Sequence, residues 1–201
     1  EEREALVSRA LTALNRVRRE HEGKNIVVAT HGMLIAVTMT VLLEGREHGG
    51  YETIDGMFPI PPNASLTELP IDYLDDAIDS HVLVNRQPKL HAEPFPKNLA
   101  GGSLTLIRHG QTEWNKNQLM QGISDIPLND TGRAQARETG AKLRSLGLSY
   151  GRVISSPLSR AYETAQLVGE DFGLPVSETY PDLVERDYGA AEGVNIPVPE
   201  R

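Results

Sequence analysis

Apolar positions divide the first part of the chain into segments with helical and strand-like spacing. In residues 4–21 they recur three and four positions apart, which predicts an amphipathic helix that Gly23 ends. Residues 26–29 form an unbroken apolar run of strand length, as expected of a strand that is buried on both faces. Residues 33–43 are again mostly apolar and predict a buried helix.

The rest of the chain repeats this alternation after a less regular stretch. Residues 45–63 are rich in glycine and proline, which predicts a long loop. The remaining apolar segments predict strands at 64–69, 82–86, 104–107 and 153–154 and helices at 129–146 and 158–172. Strands that alternate with helices in this way predict an α/β domain with a mostly parallel sheet.

Composition narrows the classes of protein to consider. The 201 residues suit one domain, and the absence of cysteine excludes disulfides, thiolate catalysis and cysteine-ligated metals. A formal net charge of −8 without a basic stripe argues against nucleic acid as a partner, although it does not exclude small anions. The sequence shows neither a signal peptide nor a membrane span, so we expect a soluble cytoplasmic protein. The oligomeric state stays open.

Two histidines stand where predicted strands end, and each is followed by glycine. The stretch "LTLIRHGQTEWN" contains His109, and "NIVVATHG" contains His31. In open parallel sheets ligands bind beyond the carboxyl ends of the strands. Arg108 disfavours the imidazolium form of His109, which would keep it neutral and nucleophilic, and an arginine can also bind an anion. A charged pair at the end of a buried strand is costly without a ligand, so we interpret these residues as functional.

Other polar residues extend this candidate site. Thr112 and Asn115 offer hydroxyl and amide donors shortly after His109. Arg160 falls in the first turns of a predicted helix, where a phosphate group is well accommodated. Glu185 and Arg186 precede a glycine in "LVERDYGAAEG". Each of these residues alone also has an ordinary explanation as a solvated side chain.

The remaining four histidines lie in polar or loop contexts and show no metal-ligand spacing, so we interpret them as surface residues: His21, His48, His81 and His91. The sequence therefore predicts no metal site.

Taken together, the motifs resemble those of the histidine phosphatase superfamily, which includes cofactor-dependent phosphoglycerate mutases. "LIRHGQTEWN" resembles the family signature. Four further pieces resemble other family motifs: "QGISDIPLNDTGRAQA", "ISSPLSRAYETA", "LVERDYGAAEG" and "NIVVATHGMLIA". The resemblance covers most of the chain apart from residues 45–102. It implies a three-layer, phosphoglycerate mutase-like fold with helices on both faces of the sheet.

The resemblance also implies a mechanism that needs no metal and no cofactor. His109 would take up the phosphoryl group, while Arg108, Arg160 and His31 would surround that group. Glu185 would protonate the leaving oxygen and later activate water. Substrate-binding positions are implied at Thr112, Asn115, Gly32, Arg186 and Tyr188.

The order of the motifs departs from the usual family order. The His31 motif, which normally comes last, stands first here, so the sequence indicates a circular permutant. We expect one domain over 1–201, in which 1–96 corresponds to the usual C-terminal part, 97–103 is a linker and 104–201 corresponds to the usual N-terminal part. Both chain ends should then lie near the site and the linker away from it, and the tail after residue 193 should be exposed and poorly ordered.

Three functions fit these residues. The leading hypothesis is a phosphomonoester hydrolase that acts on a small phosphorylated metabolite through phosphohistidine. A phosphoglycerate mutase is the alternative, because Arg186 and Tyr188 could hold a substrate carboxylate; the short chain and Met33 in "THGMLIA" argue against it. A non-catalytic phosphate-binding module is the third hypothesis, and the complete set of candidate residues argues against it.

Overall fold

A computed structural model describes residues 1–43, 58–70, 83–86 and 102–196. The helices are α1 (Arg3–Glu20), α2 (Gly32–Leu43), α3 (Glu113–Lys116), α4 (Asp130–Ser145) and α5 (Ser159–Glu170). The strands are β1 (Asn25–Thr30), β2 (Leu66–Pro70), β3 (Leu83–Arg86), β4 (Ser103–Arg108), β5 (Arg152–Ser155) and β6 (Val176–Thr179). Two 3-10 turns follow at Pro181–Leu183 and Gly189–Ala191. In these ranges no helix has the length and apolarity that crossing a membrane requires.

The six strands form one sheet in the order β3-β2-β4-β1-β5-β6. Strands β4, β1, β5 and β6 run parallel, whereas β2 is antiparallel to both β4 and β3. This confirms the predicted α/β class and its mostly parallel sheet. The sequence did not predict β6, because its side chains at an edge of the sheet are mostly exposed and show no apolar alternation. It also did not predict α3, which has only four residues and buries none of them.

The central strand β1 explains the three layers. Its side chains alternate between the two faces of the sheet, as strand geometry requires. Ile26 and Val28 pack with residues of α1 and α2 in one core cluster. Val27 and Ala29 pack with residues of α4 and α5 in another. Helices therefore cover both faces, which confirms the layer arrangement that the family resemblance implies.

Strand register brings three chain segments together at the carboxyl ends of the parallel strands. Thr30 at the end of β1 pairs with Arg108 at the end of β4, and Ala29 pairs with Ser155 at the end of β5. The pairing continues one residue further, since the His109 amide donates to the Thr30 carbonyl at 3.0 Å and the Ser156 amide donates to the Ala29 carbonyl at 2.9 Å. The residues that follow these three strands consequently meet.

The expected positions of the linker and of the chain ends can be compared with the structure at residue 102 and at residue 1. Gly102 lies against Lys24 at the amino ends of the strands, opposite the edge that carries His109. The amino group of Glu1 donates to the Asp187 carbonyl at 2.8 Å, so residue 1 lies beside the segment of Glu185. Residues 97–101 and Arg201 fall outside the described residues. The permuted order itself stays a prediction.

The first residues of the tail, 194–196, are exposed as expected, but their backbone is ordered. The side chains of Val194 and Ile196 are exposed, as predicted. Their backbone, however, pairs with the segment 118–120: the Met120 amide donates to the Val194 carbonyl at 2.9 Å and the Ile196 amide to the Gln118 carbonyl at 2.8 Å. The expected disorder is therefore wrong for residues 194–196, because neighbouring backbone groups bind them.

A close backbone approach fixes the loop after His109 against α4. A β-carbon added at Gly132 would lie 2.1 Å from the Gln111 carbonyl oxygen, and one added at Gly110 would lie 2.4 Å from the Gly132 carbonyl oxygen. Only residues without a β-carbon allow this contact. The two glycines thus determine how near α4 sits to the end of β4.

We expect Gly132→Ala to lower the free energy of unfolding by about 1–3 kcal/mol, although alanine favours helices more than glycine does, because the added methyl group overlaps backbone atoms. Gly151→Ala is the matched control, since its β-carbon would meet only the Lys24 side chain at 3.5 Å. Urea unfolding of both variants measures the difference. Equal midpoints would contradict the role of the close approach.

If the chain is a circular permutant, restoring the usual order should preserve its fold. We expect a chain built from residues 104–201, a Gly-Ser linker and residues 1–96 to fold with unchanged phosphate affinity, because β1 would still insert between β4 and β5. Circular dichroism and titration with inorganic phosphate measure this. An unfolded or non-binding product, together with a folded and binding starting chain, would count against the permuted order.

Candidate active site

His109 follows β4 and presents one nitrogen without a proton. Its Nδ1 lies 2.7 Å from the Gly110 carbonyl oxygen, which can only accept, so Nδ1 carries the proton. Nε2 is therefore unprotonated, and its lone pair accepts a hydrogen bond from Arg160 Nε at 3.3 Å. Burial, followed by the charges of Arg160 and Arg108, holds the pKa of His109 well below its ordinary value. The ring is thus neutral and buried, as the predicted nucleophilic role requires.

Arg160, at the start of α5, is fully buried yet bonds only to neutral groups. Its Nη1 donates to the Ser124 carbonyl at 2.7 Å and its Nη2 to the Gly122 carbonyl at 2.6 Å. Burial lowers the pKa of Arg160 to about 10, which leaves the guanidinium charged at neutral pH. A buried cation surrounded by dipoles is a strong attractor for an anion.

Arg108, the last residue of β4, supplies a second cation, which is partly buried. Its Nη1 donates to the Pro61 carbonyl at 2.6 Å, whereas its Nε is buried and has no hydrogen-bond partner among the described residues. Burial lowers the pKa of Arg108 as well. Gly32 permits this position, because a β-carbon there would come within 3.0 Å of Arg108 Nε. Among the described residues no ion pair involves either arginine.

His31, directly after β1, lies beside His109. The two ring centroids are 5.3 Å apart and the rings are tilted by 56°. His31 Nε2 is 2.8 Å from Ser156 Oγ, and His31 Nδ1 is buried without a partner. Burial is the main cause that holds the pKa of His31 well below its ordinary value, and the nearby arginines add to it. Both histidines are therefore neutral.

Glu185 is buried at the amino end of α2. One carboxylate oxygen accepts the amide of Met33 at 3.0 Å, and the other accepts the amides of Leu34 at 3.1 Å and Arg186 at 2.9 Å. Two of these are first-turn amides that a helix leaves without internal partners, and the positive end of the helix dipole favours a carboxylate there. The charge of Glu185 acts on both Arg108 and Arg160.

Arg9 in α1 holds the backbone around Glu185. Its Nη1 donates to the carbonyls of Asp182 and Val184, both at 2.8 Å, and its Nη2 donates to that of Glu185 at 3.2 Å. The remaining N–H groups bind the Glu1 carboxylate at 2.8 and 3.0 Å. All five donors are used, so α1 is tied to the segment that carries Glu185.

Thr112 and Asn115 form the amino end of α3. The Thr112 hydroxyl accepts the Asn115 amide at 3.1 Å, and the Asn115 side chain accepts the Thr112 amide at 3.1 Å, which makes a capping box. The Thr112 hydroxyl also donates to Gln121 Oε1 at 2.7 Å, and the side-chain amide of Asn63 donates to Asn115 Oδ1 at 3.2 Å. Both side chains are already hydrogen-bonded, and their contact with substrate stays a prediction.

Arg186 and Tyr188 follow Glu185 and stack on each other. The Arg186 guanidinium carbon lies 5.6 Å from the centre of the Tyr188 ring, and Arg186 Nε donates to the Glu1 carbonyl at 2.9 Å. Burial, and then the charge of Glu185, raises the pKa of Tyr188 to about 12. The phenol is consequently a neutral donor next to a cation.

Sequence reasoning missed two residues that shape the site. Ser156 contacts His31, and its position directly after β5 repeats the signal that identified both histidines. Glu192 accepts the amides of Ile123 and Ser124, at 3.0 and 2.9 Å, and the amide of Tyr188 at 3.2 Å. It thereby supports the turn whose carbonyls bind Arg160. No local pattern in the sequence distinguishes this glutamate.

His21 corrects the interpretation of the scattered histidines, because its side chain is buried. It ends α1 beside Glu20 and Glu178, and the potential ligand atoms of these three residues lie within 4.8 Å of one another. Glu20 is already bound by Arg16 at 2.7 Å and by the Tyr180 hydroxyl. His21 lies between α1 and the amino end of β1, whereas His31 follows the carboxyl end of that strand, so this group lies outside the site. His48, His81 and His91 fall outside the described residues.

Similar proteins include both hydrolases and mutases. An uncharacterized phosphatase, PhoE, of Bacillus subtilis (strain 168) is 48% identical over 99 residues, which are 49% of each chain. A 2,3-bisphosphoglycerate-dependent phosphoglycerate mutase of Azorhizobium caulinodans is 47% identical over 94 residues, or 46% of each chain. The chain thus spans about half the length of the curated relatives it matches.

Among solved structures, a phosphoserine phosphatase from Entamoeba histolytica in complex with 3-phosphoglyceric acid is 35% identical to the chain, with a TM-score of 0.39. That alignment covers 44% of this chain and 42% of the other. The family model described as histidine phosphatase superfamily (branch 1) matches residues 1–82 and 104–200. This match covers most of the sequence and includes every motif assembled in the site, and the chain belongs to the histidine phosphatase superfamily.

Proposed function

We infer that the protein is a phosphomonoester hydrolase that transfers a phosphoryl group first to His109 Nε2 and then to water. One observation carries this inference: His109 Nε2 carries no proton and accepts a hydrogen bond from Arg160 Nε, and neither Arg160 nor the adjacent Arg108 forms an ion pair among the described residues. Phosphoryl transfer depends almost entirely on positioning and on stabilising negative charge, and this site supplies both. A small phosphorylated metabolite is the proposed substrate class, in keeping with the name of the phosphoglycerate mutase relative.

In the first step, the Nε2 lone pair attacks phosphorus. The new N–P bond forms as the ester P–O bond breaks, and the alcohol oxygen leaves with the electron pair of that bond. Glu185, when protonated, gives this oxygen its proton. Arg108 and Arg160 bind the equatorial phosphoryl oxygens throughout, and the Gly110 carbonyl stabilises the positive charge that develops on the imidazole.

In the second step, the Glu185 carboxylate accepts a proton from water as the water oxygen attacks phosphorus. The N–P bond breaks, its electron pair returns to Nε2, and inorganic phosphate is released. Glu185 is then protonated and ready for another cycle. The three amides that hold its carboxylate fix both oxygens in place for this exchange.

A mutase reaction is the second candidate, and the relatives that bear that name favour it. The first step would be the same, but the phosphoryl group would pass to another hydroxyl group instead of water. Arg186 and Tyr188 would hold the substrate carboxylate. Measuring phosphate release against interconversion of 2- and 3-phosphoglycerate separates the two reactions. Phosphate binding without either reaction would favour a binding module.

We expect His109 to become covalently phosphorylated. Rapid quenching after incubation with ³²P-labelled substrate should leave label that is stable to base and labile to acid, on the peptide that contains His109. His109→Ala should lose both the label and turnover, because no other neutral nucleophile occupies this position. His21→Ala is a control outside the site. Normal turnover of His109→Ala would rule out the mechanism.

We expect Glu185→Gln to slow the hydrolysis of alkyl phosphates by about 10²–10⁴-fold, the usual contribution of a general acid or base. The formation of phosphoenzyme from p-nitrophenyl phosphate should slow much less, because that leaving group needs little protonation. Single-turnover kinetics measures the two rates. Glu138→Gln, on the exposed face of α4, is the matched control. Equal and small losses on both substrates would argue against this role of Glu185.

A further inference from the structure

The inference concerns Ser156, and it rests on the proposed function of the same site. Ser156 follows β5, as His109 follows β4 and His31 follows β1, so three neighbouring parallel strands each deliver one polar residue to the same edge. Both Ser156 and His31 are fully buried. Their contact, 2.8 Å between Ser156 Oγ and His31 Nε2, therefore excludes water and must be satisfied within the protein.

Counting donors and acceptors decides the direction of this hydrogen bond. The only other partner of Ser156 Oγ in the described structure is the Leu158 amide, which donates to it at 3.3 Å. If His31 Nε2 carried the proton, Oγ would accept twice, and its own hydroxyl hydrogen would be buried without an acceptor. If Oγ donates to Nε2, every polar group of Ser156 is satisfied.

The second arrangement also accounts for the other ring nitrogen. A neutral imidazole whose Nε2 accepts must carry its proton on Nδ1. His31 Nδ1 is buried and has no partner among the described residues, so this N–H is available to a ligand. An acceptor is what such a donor requires, and a phosphoryl oxygen beside His109 provides one.

We propose that Ser156 is a positioning residue whose hydroxyl donates to His31 Nε2, fixes His31 as the Nδ1–H tautomer and thereby presents a neutral donor to the phosphoryl group. The two adjacent histidines then share one tautomer but perform opposite tasks. His109 uses its Nδ1–H on the Gly110 carbonyl and keeps Nε2 as the nucleophile. His31 uses Nε2 on Ser156 and keeps Nδ1–H as the donor. The difference arises because the Gly110 carbonyl oxygen contacts Nδ1 of His109, whereas the Ser156 hydroxyl contacts Nε2 of His31.

Long-range ¹H–¹⁵N correlation spectra of the full chain, saturated with inorganic phosphate, test the assignment directly. Wild-type His31 should show a pyrrole-type Nδ1 and a pyridine-type Nε2. His109, which has its own acceptor at Gly110, serves as an internal reference. A His31 that is protonated on Nε2, or on both nitrogens, would overturn the inference whether or not any variant folds.

Two adjacent variants separate positioning from packing. Ser156→Ala should move His31 away from the Nδ1–H tautomer and weaken phosphate binding by about 3- to 10-fold, the effect of one lost hydrogen bond. Ser155→Ala is the matched control, because Ser155 Oγ donates to the Ser156 carbonyl at 2.7 Å and does not contact His31. An unchanged tautomer and affinity in Ser156→Ala would contradict the proposal. Neither readout involves turnover, so failure to hydrolyse phosphoesters would contradict the proposed function alone.

Discussion

The site depends on two arginines that form no ion pair among the described residues: Arg160, which is fully buried, and Arg108, which is partly buried. A guanidinium in a protein interior is tolerated only when polar groups surround it, and Arg160 finds them in the carbonyls of Gly122 and Ser124. Those carbonyls are in turn held by a turn that the Glu192 carboxylate supports. Because the groups that hydrogen-bond Arg160 are dipoles and not carboxylates, no direct ion pair cancels its positive charge among the described residues. The surrounding loops can thus be understood as the structure needed to keep this charge buried and unneutralised.

Burial is the main reason that both histidines are neutral, and the same positive charge adds to its effect. Burial penalises the imidazolium form and a neighbouring cation disfavours it further, so the pKa values of His109 and His31 both fall well below the ordinary value. A protonated His109 could not attack phosphorus. In the proposed mechanism the arginines therefore serve two purposes, since they would attract the phosphoryl group and also keep His109 neutral for the attack.

Sequence predicted the parts of the fold and site that leave a local pattern. Buried strands such as β1 are continuous apolar runs. A charged residue directly after such a run, such as Arg108, marks the carboxyl end of a strand, where the candidate site lies. Strand β6 left no such pattern because its side chains are mostly exposed. The burial of His21 was also missed, because it results from packing at the end of α1 against residues far away in the sequence. Glu192 acts only through the backbone of a distant turn, which no spacing of residue types reveals.

Register, and not chain order, assembles the site. His109, His31 and Ser156 are separated by long stretches of sequence, yet each follows one of three adjacent strands whose pairing is fixed to the residue. A shift of one residue in β1 would turn the side chains of Val27 and Ala29 to the opposite face, so the two cores hold the register that places His31 beside His109. Any order of the chain segments that leaves β1 between β4 and β5 therefore brings the same three residues together. The permuted order of the motifs, which stays a prediction, is compatible with the assembled site for this reason.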